Sequence, residues 1–200
     1  MKKLYVLLVL VFISSCSNKY GVMVSGGQTT YTEEGEATSS FTGTTLTLPK
    51  YSSKGRTLSA GITEESDWFL TKLSYFQTSY SNVEYVVSLV PFSTDLEESG
   101  VSLSLGLKLW IFQPFLLMSS TNGEYEINGV SKKENYSSFG YGLDIEVPIT
   151  KSAFWFLGYS IQETENVSME SGVALTQRLG HQSLYSGIRF NIFDLSKGRK

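Results

Sequence analysis

The chain has 200 residues, of which 41% are hydrophobic, 14% are aromatic and only 18% are charged. Sixteen basic and 19 acidic residues give a net charge of −3, which argues against the strongly basic surface of a nucleic-acid-binding protein. A single cysteine excludes an internal disulfide framework, and the many strand-forming residues exclude a disordered chain or a coiled coil.

The N-terminus predicts an export signal. A basic start precedes an unbroken run of ten apolar residues, Leu4 to Ile13, which is too short to span a membrane but typical of a signal peptide. The next residues, Ser-Ser-Cys ending at Cys16, complete a motif that resembles the bacterial lipobox, which implies cleavage before Cys16 and acylation of its thiol. We therefore expect a lipoprotein-type signal peptide at 1–15 and a single domain at 16–200. The alternatives are ordinary signal cleavage after Ser15 or Ser17, with Cys16 incidental, and a retained helix.

The body of the chain alternates between apolar and polar residues with the period of two that strands show. The clearest segment is 101–112, in which every second residue from Val101 to Ile111 is apolar. Similar alternation predicts seven further strands, at 137–149, 153–163 and 183–193 and, less regularly, at 21–31, 57–64, 67–79 and 115–127. Most of these segments are near the 9–11 residues with which a tilted strand crosses a bilayer.

The connections between these segments alternate in length. Short turns are predicted at 65–66, 113–114 and 150–152, and long polar loops at 33–56, 80–100, 128–136 and 164–182. Short turns at one end and long loops at the other are typical of an outer-membrane barrel. We therefore predict an all-β, antiparallel up-and-down transmembrane β-barrel of about eight strands. Ten strands are the alternative, if 41–48 and 83–92 form a further pair.

Aromatic residues predict a belt at each membrane surface, because amphipathic rings prefer the headgroup region. The belt near the short turns contains Trp68, Trp110, Trp155 and Phe193. Tyrosines lean toward the long-loop end: Tyr31, Tyr75, Tyr80, Tyr125, Tyr136, Tyr141, Tyr159 and Tyr185. The two belts favour a membrane barrel over a soluble protein with an aromatic-rich core.

With this architecture the chain resembles the small eight-stranded outer-membrane barrels, the group that contains the OmpA transmembrane domain, OmpX and the neisserial opacity proteins. A last-strand signal for the barrel-assembly machinery is similar to that of the group and comprises Tyr185, Gly187, Phe190 and Ile192. A basic tail, 194–200, follows where the group usually ends on an aromatic residue. The resemblance implies the outer membrane of a Gram-negative-type bacterium, with extracellular loops and periplasmic termini. Its implied contacts are membrane lipids, lipopolysaccharide, the assembly machinery and an unidentified extracellular or envelope partner.

Charged residues within the predicted strands lie on the face opposite the apolar one: Lys72, Lys108, Asp144, Glu146 and Arg189. A Lys or Arg at the centre of the hydrocarbon would cost about 2–4 kcal/mol, so we expect all five to point into the barrel and to pair there. Eight strands leave a lumen that side chains fill. With Trp110, Phe156 and Tyr185 also expected inside, we predict a barrel without an appreciable pore.

Few residues could support catalysis or metal binding, and they do not complete a recognisable site. The sequence therefore favours a non-enzymatic barrel with a role in surface interaction or envelope integrity. The only histidine, His181, stands two residues before Ser183 and resembles the His-x-Ser of lipid A deacylase barrels, but no motif-placed carboxylate accompanies it. An acidic group at Asp95, Glu97 and Glu98 offers oxygen ligands for a hard cation and is equally ordinary in a solvated loop.

Nothing in the sequence predicts a cofactor or a metal site. Three alternatives to the non-enzymatic barrel remain open. They are a lipid hydrolase that uses His181 and Ser183, a small transport channel, and a lipid-anchored soluble β-barrel that binds an apolar ligand.

Overall fold

The computed structural model describes residues 19–87, 90–127, 130–170 and 173–194, so the predicted signal peptide and Cys16 lie outside the described residues. Within these ranges the chain forms eight strands: β1 Lys19–Ser39, β2 Thr45–Glu65, β3 Phe69–Val87, β4 Val90–Leu107, β5 Phe112–Ile127, β6 Val130–Pro148, β7 Ala153–Glu170 and β8 Val173–Asp194. Each strand pairs with its neighbours in sequence, and β8 pairs with β1 to close the barrel. The predicted eight-stranded up-and-down barrel is confirmed, and the ten-strand alternative is wrong. No helix in the described part of the chain is long and apolar enough to cross a membrane.

The strands are staggered around the barrel. Successive backbone partners lead from Val22 through β2 to β8 and return to β1 at Thr32, ten residues further along. A stagger of this size tilts the strands by about 40° from the barrel axis. Residues at one level of the barrel are therefore displaced by slightly more than one residue from each strand to the next.

Side chains alternate between the lumen and the outer surface along each strand, as the pleat of a strand requires. On β2, for example, Leu58 is 70% exposed on the outside, whereas on β8 the side chain of Arg189 is 0% exposed inside the lumen. Asp144 is likewise buried inside. An apolar exterior around a charged interior contradicts the alternative of a soluble barrel, because that barrel would place these charges on its surface.

The apolar residues of the exterior form a band with a level upper edge. The uppermost apolar residues of β2 to β8 lie within about two residues of one level once the stagger is included: Leu58, Tyr75, Val101, Met118, Phe139, Ile161 and Leu184. The outward residues directly above these seven are all polar: Arg56, Gln77, Ser99, Ser120, Ser137, Glu163 and Gln182. On β1, the outward residue at the same level is Gln28. Such a level change from apolar to polar matches the boundary between hydrocarbon and headgroups.

The segments predicted as long loops are continuations of the strands. The β1–β2 hairpin, for instance, turns only between Ser39 and Thr45. Prediction from period two failed here because both faces of a strand above the membrane meet water, and polar side chains on both faces remove the alternation. Residues 83–87 and 90–92 belong to the upper parts of β3 and β4 and do not form a further pair with 41–48.

Above the band the barrel wall divides. Pairing continues among β7, β8, β1 and β2 and within the β3–β4 and β5–β6 hairpins. Within the described residues, the last backbone pairs between these units are Gly55 with Tyr80, Leu96 with Tyr125, and Phe139 with Glu163. The upper part therefore consists of one four-stranded sheet and two separate hairpins.

The short turn after β4 lies earlier than predicted. β4 ends at Leu107 and β5 begins at Phe112, so the turn occupies 108–111 instead of 113–114. Trp110 adopts a φ of 62° in this turn and is 87% exposed. The expectation that Trp110 fills the lumen is therefore wrong, because the alternation on which it rested ends before this residue.

Candidate functional site

The floor of the lumen is an ion-pair cluster around Arg189. Its guanidinium donates from Nε and Nη2 to the two carboxylate oxygens of Glu146, at 3.0 and 2.6 Å, and from Nη1 to Glu65 at 2.6 Å. Nη1 also donates to the side-chain oxygen of Asn191 at 2.6 Å. Lys108 donates to the other oxygen of Glu65 at 2.5 Å. Two carboxylates and two cations thus connect β2, β6 and β8 with the turn that follows β4.

A second ion pair, Lys72 with Asp144, lies above this floor and is also buried. The hydroxyl of Tyr185 donates to Asp144 at 2.8 Å, and the Lys72 ammonium lies 4.9 Å from the ring centroid of Phe156. Gly158 makes room for the arrangement, because a Cβ at this position would overlap the carboxylate of Asp144 and the ring of Tyr185. The pair therefore depends on a glycine in the facing strand as well as on its own charges.

The roof of the lumen is built around the buried carboxylate of Glu98. Tyr80 donates to one of its oxygens at 3.1 Å, and Tyr136 donates to the other. Nε2 of His181 lies 3.2 Å from the same oxygen as Tyr136, and the His181 ring stacks on Tyr136 at a centroid distance of 5.9 Å. Tyr31 meets the His181 ring edge-on at 5.4 Å. The roof is thus a hydrogen-bonded layer of aromatic rings.

Apolar side chains reinforce this roof where the barrel wall divides. Val83, Leu96 and Leu179 join the roof tyrosines in a buried cluster to which β1, β3, β4, β6 and β8 contribute. The roof therefore closes the barrel with a small hydrophobic core of its own.

A cavity of about 120 Å³ lies between the floor and the roof. Hydroxyl side chains line much of its wall: Ser25, Thr29, Thr57, Ser59, Ser74, Thr78, Ser102, Ser104, Thr121, Ser138, Ser160 and Ser183. Neighbouring strands share hydroxyl hydrogen bonds, including Thr29 with Thr57 at 2.6 Å and Ser74 with Ser102 at 2.8 Å. A polar cavity of this volume has room for several water molecules.

The structure places all five predicted lumen charges inside the barrel, but not all as partners of one another. Arg189 pairs with Glu146 and Lys72 with Asp144, whereas Lys108 pairs with Glu65. Sequence reasoning missed Glu65 because it assigned this residue to a turn.

Sequence reasoning also misses the role of Glu98, because its polar surroundings predict a loop. Alternation separates the proposed acidic group: Glu98 points inward, whereas Asp95 and Glu97 are exposed. The cation-binding interpretation of this group is therefore wrong. No group of three potential metal ligands occurs among the described residues.

The two hydrolase candidates both face the lumen, as their spacing on one strand requires. His181 contacts Glu98 and Tyr136, and the hydroxyl of Ser183 lies 2.9 Å from that of Thr29. Within the described residues, no hydrogen bond connects His181 to Ser183. The side chains therefore form no catalytic arrangement on the surface that lipid would contact.

The aromatic residues near the short turns lie on the outer surface. Trp68, Trp155 and Phe193 are exposed, as is Trp110. The predicted tyrosine belt is only partly correct. Tyr75, Tyr141 and Tyr159 face outward, but the roof residues Tyr31, Tyr80 and Tyr136 are buried in the lumen. The position of an aromatic residue along a strand predicts the level of its ring in the barrel. Whether the ring faces the lumen or the exterior depends on which of the two alternating sets of strand positions the residue belongs to.

The last-strand residues also divide between the two faces. Tyr185 and Gly187 belong to the inward-facing positions of β8, whereas Phe190 and Ile192 are exposed on the outside. Gly187 lies against the ring of Phe156, which a Cβ would overlap. The small residue therefore also has a packing role inside the barrel.

Ion pairs above the band hold the hairpins together on their exposed faces. Lys50 pairs with Glu34, and its hydrogen bond and charge lower the pKa of that carboxyl. Lys133 lies 3.2 Å from Glu124, and Arg178 lies 3.4 Å from Glu165. Three of the cations described above the band are thus neutralised within the chain.

Comparison with known proteins shows the class of fold. No family model matches the sequence, and no curated protein has a significantly similar sequence. The crystal structure of Neisserial surface protein A is 15% identical, with a TM-score of 0.50, and the match covers 86% of this chain and 97% of that chain. The outer membrane protein OprG from Pseudomonas aeruginosa is 13% identical, with a TM-score of 0.53 and coverage of 87% and 98%. The chain thus has the fold of the small outer-membrane β-barrels, as the resemblance implied.

Proposed function

We propose that the protein is a non-enzymatic barrel without an open pore, located in the outer membrane of a Gram-negative-type bacterium. The observation that carries the proposal is the closure of the lumen in two layers. A solute moving along the axis would have to separate Arg189 from Glu146 and Glu65 and then displace the rings around Glu98. Such a lumen favours a role in surface interaction or envelope integrity over transport.

The hairpins are the parts that would meet a partner, and we place them outside the cell with both termini in the periplasm. The first and last described residues, Lys19 and Asp194, pair with each other at the end of the short turns. At the opposite end, Phe41 is 87% exposed in the tip of the β1–β2 hairpin, and Leu46 is 61% exposed beside it. Aromatic side chains are enriched at protein interfaces, so Phe41 is our first candidate for contact with a partner.

The hydroxyl-lined cavity favours a second candidate function, a narrow channel for small polar solutes. If the roof and the floor both opened, the cavity would form the middle of a continuous polar path through the barrel. The same recording tests both candidates, because they differ in whether ions pass through the wild-type protein.

The test is a planar-bilayer recording of the purified chain, with a general porin as the positive control. We expect no steady conductance steps. Steady conductance steps of any size would overturn the closed lumen and establish the channel. Protease treatment of intact cells tests the orientation, since we expect cleavage within the hairpins. Cleavage only after the cells are permeabilised would contradict it.

A lipase assay tests the non-enzymatic assignment. Because His181 and Ser183 are inside the barrel, we expect no release of fatty acid from phospholipid or lipid A. Release that is lost in His181→Ala, with the variant still folded, would establish the hydrolase instead.

A further inference from the structure

Above the apolar band, two of the five cations whose side chains the structure describes differ from the other three. The described side chains of Lys50, Lys133 and Arg178 each pair with a carboxylate of the same chain. Lys54 and Arg56 form no ion pair with any described residue, although both are exposed. They are therefore available for an anion from outside the chain.

The position of these two cations defines what they would meet. Both lie on the outward face of β2, two residues apart, so their Cα atoms are about 6.6 Å from each other. Arg56 stands directly above Leu58, the top of the apolar band on this strand. Among the described outward residues at its level around the barrel, Arg56 is the only cation. This is the level at which lipid headgroups begin.

Neutral hydrogen-bonding groups flank the two cations. On β1, Gln28 is the backbone partner of Arg56 and Thr30 is the partner of Lys54. On β3, the partner of Arg56 is the exposed Ser79. Side chains of directly paired residues on one sheet face have Cβ atoms about 4.5–5.5 Å apart, so one bound group could contact several of them.

The wall of the barrel also begins to divide here. The last backbone pair between β2 and β3 joins Gly55 to Tyr80, one residue above Arg56. Lys54 therefore lies beside the notch where the two strands separate, and a headgroup can reach it from the side as well as from above.

We propose that Lys54 and Arg56 form a binding site for the phosphate groups of lipid A in the outer leaflet. A phosphate offers charged acceptor oxygens that suit both the planar guanidinium and the ammonium. The apolar surface below, at Leu58 and Ile62, would contact the acyl chains of the same molecule. This inference rests on the proposed outer-membrane location and is independent of whether the lumen conducts.

The charges elsewhere at this level make the site specific to one side of the barrel. Glu163 on β7 and Glu97 on β4 are exposed on the outward face close to the same level. Carboxylates at these positions would repel phosphate, so we expect the bound lipid to contact β1, β2 and β3 and to avoid β4 and β7.

The test uses the full-length mature chain in phosphatidylcholine nanodiscs, titrated with bisphosphorylated lipid A and observed by native mass spectrometry. The variant is Lys54→Gln with Arg56→Gln. The matched control is Lys50→Gln with Lys133→Gln, which removes two exposed cations that already have partners. Retention of the heat-modifiable gel mobility shows that each protein is folded.

We expect the Lys54/Arg56 variant to bind lipid A about tenfold more weakly or worse, because each cation near an anionic surface contributes about fivefold. The control variant should change binding less than twofold. Binding by the wild type should weaken as the salt concentration rises, since the contact is exposed. Equal loss in the variant and the control, or no loss in either, would overturn the site.

Two further titrations distinguish the source of the phosphate. Lipid A without its phosphates should bind the wild type as weakly as the variant binds the intact lipid, and equal binding of both lipids to the wild type would overturn the proposal. Inorganic phosphate at the lipid concentration should not displace lipid A, and displacement would identify free phosphate as the ligand. If the barrel conducts ions and its binding of lipid A still requires Lys54 and Arg56, the proposed function alone is overturned. If the barrel does not conduct ions and its binding of lipid A does not require these residues, the lipid site alone is overturned.

Discussion

The fully buried guanidinium of Arg189 is stable because two carboxylates and an amide oxygen replace the water that it loses. We expect Arg189→Leu to destabilise the barrel by about 3–5 kcal/mol, since Glu146 would remain buried without its cation. Urea titration of the refolded barrel in lipid measures the loss. Arg178→Leu is the control, because Arg178 forms an exposed pair with Glu165, and its removal should change the free energy of unfolding by less than about 1 kcal/mol. Similar effects of the two variants would contradict the role of the floor.

Glu98 and Glu97 are adjacent in the chain and differ only in the face on which they lie. Glu98→Ala would leave Tyr80, Tyr136 and His181 without their shared acceptor, and we expect a loss of about 2–4 kcal/mol. Glu97→Ala removes an exposed carboxylate and should change the free energy of unfolding by less than about 0.5 kcal/mol. The same urea titration compares them. If Glu98→Ala and Glu97→Ala change the free energy of unfolding equally little, the roof does not depend on the carboxylate of Glu98.

Within a single strand, the cost of an outward charge should depend on its level. On β4, Leu105 lies near the middle of the apolar band and Ser99 lies just above it, and both belong to the outward-facing set. We expect Leu105→Arg to cost about 2–4 kcal/mol and Ser99→Arg at most about 1 kcal/mol. Refolding yields into lipid vesicles would show the difference, and equal yields would mean that the band is misplaced.

The strands were predictable where one face meets lipid and the other the lumen. That contrast produces the alternation seen from Val101 to Leu107. The alternation disappears where both faces of a strand contact water. For this reason the sequence predicts loops in place of the upper strands and places Glu98 in a solvated acidic group. The partners of the lumen charges were not predictable either, because the pairing of Lys108 with Glu65 depends on the stagger between strands. Period two predicts the face of a residue but gives no information on its neighbours across the barrel.

At the scale of the whole molecule, the predicted lipid anchor requires its own measurement. The lipobox-like motif predicts that the thiol of Cys16 is acylated, which would add a tether just before β1. We expect Cys16→Ala to abolish incorporation of labelled palmitate while the barrel remains folded in the membrane. Ser17→Ala should leave the labelling unchanged. Labelling that persists in Cys16→Ala would exclude the anchor.

The division of the barrel wall above the band has a consequence for how neighbouring molecules meet. A closed barrel has no free strand edges, but here β2 to β7 each gain one above the points where β2 separates from β3, β4 from β5 and β6 from β7. The upper part of β2 contains Pro49, Lys50 and Lys54, and that of β4 contains Pro91. Proline lacks a backbone donor and lysine carries charge, so both oppose the addition of a strand from another chain. In a crowded membrane the edges of β2 and β4 therefore resist strand-to-strand association between copies, which favours recognition through side chains at these two strands.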